Sequence, residues 1–133
     1  MKGVVVDTNI LVAAGFKSGS SSRRIVEEIA AGELLLIWNE GTRRESLHVV
    51  GKIPPLDEAY FAELFLEQGR FDGSVDEELF DVIADRSDRK FAALAGAAQV
   101  VLVSNDSDFL DVRGDLSIEV YRPSEFLDQR GEE

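Results

Sequence analysis

Residues 4 to 14 read VVVDTNILVAA, three apolar β-branched residues, a polar triplet of Asp7, Thr8 and Asn9, then a second apolar stretch. The pattern predicts a strand buried on both faces that runs into a turn. The polar SGSSSRR beyond it ends in helix-capping residues, and Ile25, Val26, Ile29 and Ala30 then recur at helical spacing up to Gly32. ELLLIW, residues 33 to 38, is a second strand candidate. Thr42 is placed to cap a helix carrying Leu47, Val49 and Val50, and Pro54-Pro55 stops that helix or the segment after it. Over residues 57 to 69, Ala59, Tyr60, Phe61, Leu64, Phe65 and Leu66 predict an amphipathic helix with a strongly acidic outer face. Asp88 precedes the small-residue helix RKFAALAGAA, and VVLVS, NDSDFLDV and SIEVY come next as a strand, a turn into a short helix and a last strand.

Strands alternating with helices imply crossover connections and hence a central parallel sheet flanked by helices on both faces. Functional groups in such sheets gather outside the carboxyl ends of the strands. Asp7 lies at the end of the first strand, and Asp106 and Asp108 lie just past VVLVS, so two strands deliver acids to the same edge.

Composition narrows the chemistry. At 133 residues the chain is expected to form a single domain, 1–133, able to bury a sizeable core. Apolar residues make up 44% and charged residues 30%, a mixture that excludes a disordered chain. There is no cysteine, hence no disulfide, thiolate metal site or cysteine nucleophile. No apolar run approaches the length of about 18 that spans a bilayer, and no charged leader precedes the first strand, so no membrane association and a cytoplasmic location are expected. The net charge of −12 is uneven: +1 over residues 1 to 56, −8 over 57 to 81 and −5 over 82 to 133.

Acids facing one cleft repel: a pair about 4 Å apart costs roughly 4 kcal/mol at an effective dielectric near 20. Protonation, a nearby Lys or Arg, or a divalent cation must offset that. With oxygen ligands, no cysteine and one histidine, the cation would be Mg²⁺ or Mn²⁺ rather than Zn²⁺. Glu45 and Asp88 join the site only if helices bring them in, which spacing alone does not decide.

VVVDTNILVAA, RRESLHVV with Glu45, DRSDRKFAALAGAAQVVLVSNDSDFL and the closing SIEVYRPSEFLDQ together resemble the PIN-domain family, closest to its compact prokaryotic toxin–antitoxin nucleases. The likeness spans essentially the whole chain in the family's order. It implies a three-layer α/β/α fold and a metal-dependent single-strand nuclease, usually acting on RNA. By position, Asp7, Glu45, Asp88 and Asp106 would be the catalytic and metal-binding acids, with Asp108 a further ligand. Asn9 and Ser104 would hold carboxylates and backbone in place. The implied reaction is hydrolysis by a water that one or two Mg²⁺ or Mn²⁺ ions activate, with no covalent nucleophile. Partners would be single-stranded RNA and an antitoxin protein, with the chain itself a homodimer.

The acidity of the chain predicts weak, salt-sensitive RNA binding through a few local cations. Arg43, Arg44, Arg89 and Lys90 flank the proposed acids and are the first candidates, with Lys17, Arg23, Arg24 and Arg86 also available. Asp85 competes with Asp88 for the third acidic place; Asp88 is preferred because it stands three residues before Phe91. Plainer roles remain open: Asp7 and Asp88 as helix or turn caps, Glu45 and His48 as solvated helix residues, and residues 57 to 81 as a solvated acidic face or a dock for a basic peptide. FKSGSSS lacks the spacing of a phosphate loop and reads as a flexible connection. Phe61, Phe65 and Phe71 could form an apolar pairing patch. Two other functions fit the residues: a phosphatase forming an aspartyl-phosphate, although position 9 is Asn rather than a second acid, and a non-catalytic nucleic-acid or protein binding module.

Overall fold

The β-branched run Val4–Val6 builds the central strand β1 (Lys2–Val6) of a computed structural model that describes residues 2–131. Side chains alternate across it: Val4 and Val6 enter one buried cluster and Val5 the other. With β2 (Leu34–Leu36), β3 (Val101–Val103) and β4 (Val120–Tyr121) it forms an all-parallel sheet in the order β2-β1-β3-β4. On one face pack α1 (Thr8–Phe16), α2 (Ser21–Ala30), α3 (Glu40–Gly51), α4 (Glu58–Ala62) and α7 (Pro123–Gly131). Their contributions include Ile10, Leu11, Ile25, Ile29, Val50, Phe61 and Phe126. The other face is covered by α5 (Arg89–Ala98) and α6 (Ser107–Leu110), through Phe91, Leu94 and Phe109, with Phe80 and Ile83 beside them. The architecture is a three-layer α/β/α fold. Among the described residues no helix is long and apolar enough to cross a membrane.

Strand order decides where a site can form. From β1 the chain moves to β2 on one side, then returns past β1 to β3 on the other, so connections diverge between β1 and β3 and leave a crevice at their carboxyl ends. Val6 is in register with Val103, so Asp7 and Ser104 leave the sheet side by side. The Asp7 backbone N–H donates to Val103 O at 3.3 Å, and that of Ser104 donates to Tyr121 O at 3.0 Å.

Several local expectations change. The apolar residues after Asp7 form helix α1 rather than the turn expected from the strand-like pattern. Asn39, not Thr42, caps α3; Thr42 completes a reciprocal capping box by accepting from the Asn39 backbone N–H. The helix expected over 57 to 69 is confined to α4. The chain leaves the helix after Ala62, and the Leu66 carbonyl accepts both from Trp38 Nε1 at 2.7 Å and from the Gly69 backbone N–H at 2.9 Å, which opens a 3-10 turn at Glu67–Gly69. Of the residues named for a pairing patch, Phe61 is buried in the core and Phe65 and Phe71 are partly buried, while the neighbouring Tyr60 and Leu66 are exposed. The last strand is only Val120–Tyr121.

Beyond β2 the chain pairs onward with the segment after α4: Trp38 N–H donates to Gly69 O at 3.0 Å and Phe71 N–H to Trp38 O at 2.7 Å. This passage demands glycine, because a Cβ on Gly69 would lie 1.9 Å from the Leu36 carbonyl oxygen. Gly69→Ala is therefore expected to destabilise the fold by about 2 kcal/mol, read as a lower urea midpoint with an unchanged denaturant slope.

Candidate metal centre

Asp7 ends β1 and caps α1: its Oδ1 accepts from the Ile10 backbone N–H at 3.1 Å. Its Oδ2 accepts from the Ser104 hydroxyl, which belongs to the chain leaving β3. Asp7 is 3% exposed and Ser104 fully buried, so the carboxylate is sealed between two neighbouring strands. Ser104 Oγ in turn accepts from the Asp106 backbone N–H at 2.9 Å. Asp106 caps α6, with Oδ1 accepting from Asp108 N–H at 2.9 Å, and Asn9 Nδ2 approaches its Oδ2 at 3.4 Å. One relay of hydrogen bonds thus sets Asp7 and Asp106 relative to each other.

Asp88 enters from the opposite layer. It occupies the cap position of α5, yet its side chain makes no capping bond, and its buried Oδ2 has no hydrogen-bond partner among the described residues. A carboxylate oxygen denied both water and a donor is an expensive arrangement in an isolated protein. Asp85, which caps a 3-10 turn through Ser87 N–H at 2.9 Å, stands beside it. One oxygen from each of Asp85, Asp88 and Asp108 lies within 4.8 Å of the others, the one such trio of acids among the described residues.

Electrostatics ties these acids together. Burial is the main cause that pushes the Asp7 carboxyl up to about 7; the Ser104 and Ile10 hydrogen bonds oppose it and the charge of Asp106 adds to it. Asp88 is also pushed up to about 7, first by burial and then by the charges of Asp85, Asp106, Asp7 and Asp108. Asp88 is therefore the acid that feels all the others.

Glu45, expected among the metal acids, is outside the trio and is held by another partner. Its Oε1 accepts from Lys90 Nζ at 2.9 Å, both side chains being about three-quarters buried, and Lys90 stands two residues beyond Asp88 on α5. A buried bond between Thr8 Oγ1 and Ser46 Oγ, 2.9 Å, fixes the adjoining stretch of α3 against the start of α1. The acid that sequence reasoning undervalues is Asp85. Its spacing of three from Asp88 is visible in the chain, but only the 3-10 turn puts both carboxylates on one side.

The cations expected to flank the acids are largely engaged. Arg89 donates to the Ile83 and Asp81 carbonyls, Lys90 pairs with Glu45, and Arg43 lies over the Trp38 ring at 5.9 Å. Arg44 is exposed, as is His48.

The donor set fits a hard divalent cation. It consists of carboxylate oxygens without nitrogen or sulfur, it is crowded with like charge, and it contains a buried oxygen that none of the described residues satisfies. Asp85, Asp88 and Asp108 present the oxygens that could share one Mg²⁺ or Mn²⁺; the structure does not bring Asp7 or Asp106 into that trio, and they act on it through their charge on Asp88.

A pH dependence arises from the raised acids. Both bind a proton more tightly in the folded chain than in the unfolded one, whose carboxyls titrate near 3.8, so they favour folding below that pH. The contribution is lost as pH rises from about 4 to about 7. In chelator, Asp88→Asn is expected to melt about 3 °C higher than wild type at pH 8 and at nearly the same temperature at pH 4, as scanning calorimetry would show. Neither the models of known protein families nor the curated protein sequences match this chain, so the chemistry of the centre rests on its own residues.

Proposed function

We propose that this protein is a Mg²⁺- or Mn²⁺-dependent endoribonuclease that hydrolyses phosphodiester bonds in single-stranded RNA, acting as the toxin of a toxin–antitoxin pair and forming a homodimer. The observation that carries the enzymatic reading is the placement of Asp7 and Asp106 just past the ends of adjacent parallel strands, joined through Ser104, with the charge of both acting on Asp88 at the cap of α5. The resemblance of the same segments to PIN-domain nucleases supports the choice of RNA and of the toxin role.

In this reading Asp7 anchors the centre from below, and Ser104 keeps its carboxylate oriented. Asp106, fixed by its own cap and by Asn9, supplies the second wall. Asp88 Oδ2 is the acceptor left open for a ligand. A divalent cation held there would lower the pKa of an attacking water and offset charge on the phosphate and the leaving oxygen. Glu45 acts with Lys90 at the edge of the centre, where the ammonium limits acid repulsion.

The phosphatase alternative fits less well. A nucleophilic carboxylate must reach a phosphorus atom, whereas Asp7 is buried with both oxygens engaged. A binding module of the same fold would need no such crowding of acids.

The deciding assay is cleavage of single-stranded RNA with Mg²⁺ or Mn²⁺. Asp7→Asn and Asp106→Asn are each expected to lower the rate by roughly a hundredfold or more, and chelation to abolish it. Undiminished cleavage by both variants, or cleavage without metal, would contradict the mechanism.

A further inference from the structure

Beside the acids, on the same carboxyl edge of the sheet, lies a polar cavity of about 260 Å³ between the start of α2, the end of α1 and the start of α7. Lys17, Ser20, Ser22, Asn105, Arg122 and Ser124 are among its lining residues. The chain carries 26 acids against 14 lysines and arginines, yet among the described residues no Asp or Glu lines this space and two cations do. That reversal of the protein's overall charge is the first indication of an anionic ligand.

Hydrogen-bonding capacity points the same way. Ser22 is 3% exposed, and its Oγ accepts only a long 3.4 Å contact from Asn105 Nδ2, with no acceptor for its own proton among the described residues. The first turn of α2 brings the Ser21 and Ser22 backbone N–H groups, while that of Arg23 is capped by Ser20 Oγ at 3.1 Å; α7 opens on Pro123, which has no N–H, so its first such group is that of Ser124. Arg122 lies 3.7 Å from Glu125, but that carboxylate is already clamped by Arg113 at 2.8 Å, and Arg122 remains half exposed. The surroundings therefore offer donors and positive charge in excess of acceptors.

The cavity adjoins the acidic centre along the chain. Asn105 stands between Ser104 and Asp106, and Asn9, which approaches Asp106, lies one helical turn before Ala13, a wall of the cavity. Ala13 is followed four residues later by Lys17, so one side of α1 leads from the acids to the cations over about 6 Å per step. FKSGSSS thus forms part of a wall rather than a mere connection.

We propose that this cavity binds a backbone phosphate of the RNA chain next to the one cleaved, with Lys17 and Arg122 supplying charge and Ser20, Ser22 and Ser124 supplying donors. The inference rests on the nuclease reading for the identity of the strand, but binding tests it without cleavage. The cations that hold substrate are then these two, distant in sequence from the acids, rather than Arg89 and Lys90.

Fluorescence anisotropy with a labelled oligouridylate of about 12 nucleotides, in chelator, measures binding by the wild type, Lys17→Ala/Arg122→Ala and the charge-keeping Lys17→Arg/Arg122→Lys. The alanine pair is expected to bind about tenfold more weakly at low salt, with a salt dependence shallower by about 0.7 per lost phosphate contact, while the charge-keeping pair retains most of the affinity. In the cleavage assay KM should rise and kcat stay nearly constant. Absence of oligouridylate binding by the wild type, or equal affinity and slope in wild type and alanine pair, overturns the proposal. Weakened binding by the alanine pair with no cleavage by the wild type would uphold the phosphate cavity and sink the nuclease reading.

Discussion

A carboxylate sealed at the seam of two parallel strands governs this protein. Asp7 spends one oxygen on the first turn of α1 and the other on Ser104, and in doing so joins the end of β1 to the end of β3. Burying a charge in an apolar sheet is unfavourable unless it is fully hydrogen-bonded. The two donors offset only part of that cost, since burial still pushes the carboxyl up to about 7, and they fix the direction in which both chains leave the sheet. Because Ser104 accepts from Asp106 N–H, the position of the second acid is set by the first.

The same arrangement leaves the centre electrostatically strained. Asp88 is brought in from the far layer with a buried oxygen that none of the described residues satisfies, and burial and four neighbouring acids hold its proton to about pH 7. Such a cluster opposes folding, and the apolar clusters on both faces of the sheet carry it. A rigid scaffold with a locally unfavourable site is what a preorganised cation centre requires, since the ligands need not be gathered at the moment of binding. Glu45 differs from the others in already having a counter-charge in Lys90.

Much of the fold was legible in the chain because apolar runs at Val4–Val6, Leu34–Leu36 and Val101–Val103 alternate with helical spacing. Asp7, Ser104 and Asp106 could be placed for the same reason: each lies at or just past the end of a run that can only be a strand. Helix α1 was hidden because Ile10, Leu11 and Val12 carry no polar face to mark a helical period; the signal was Asp7 itself, as a cap. The 3-10 turn late in the acidic 57 to 69 segment was hidden because its first carbonyl, Leu66 O, is shared with Trp38, a residue from a distant strand end. The pairing of Glu45 with Lys90 depends on how α3 packs against α5, and the Lys17–Arg122 cavity on how α2 and α7 meet. None of these leaves a local pattern.

The crowded acids are read as existing to share a divalent cation. Calorimetric titration of Mn²⁺ near pH 6.5, repeated in buffers of different ionisation enthalpy, tests this most directly, because a cation entering the site must displace protons held by Asp7 and Asp88. The expected result is saturable binding that releases about one proton per ion and that weakens strongly in Asp7→Asn. Binding without proton release, or with the same affinity in that variant, would contradict it.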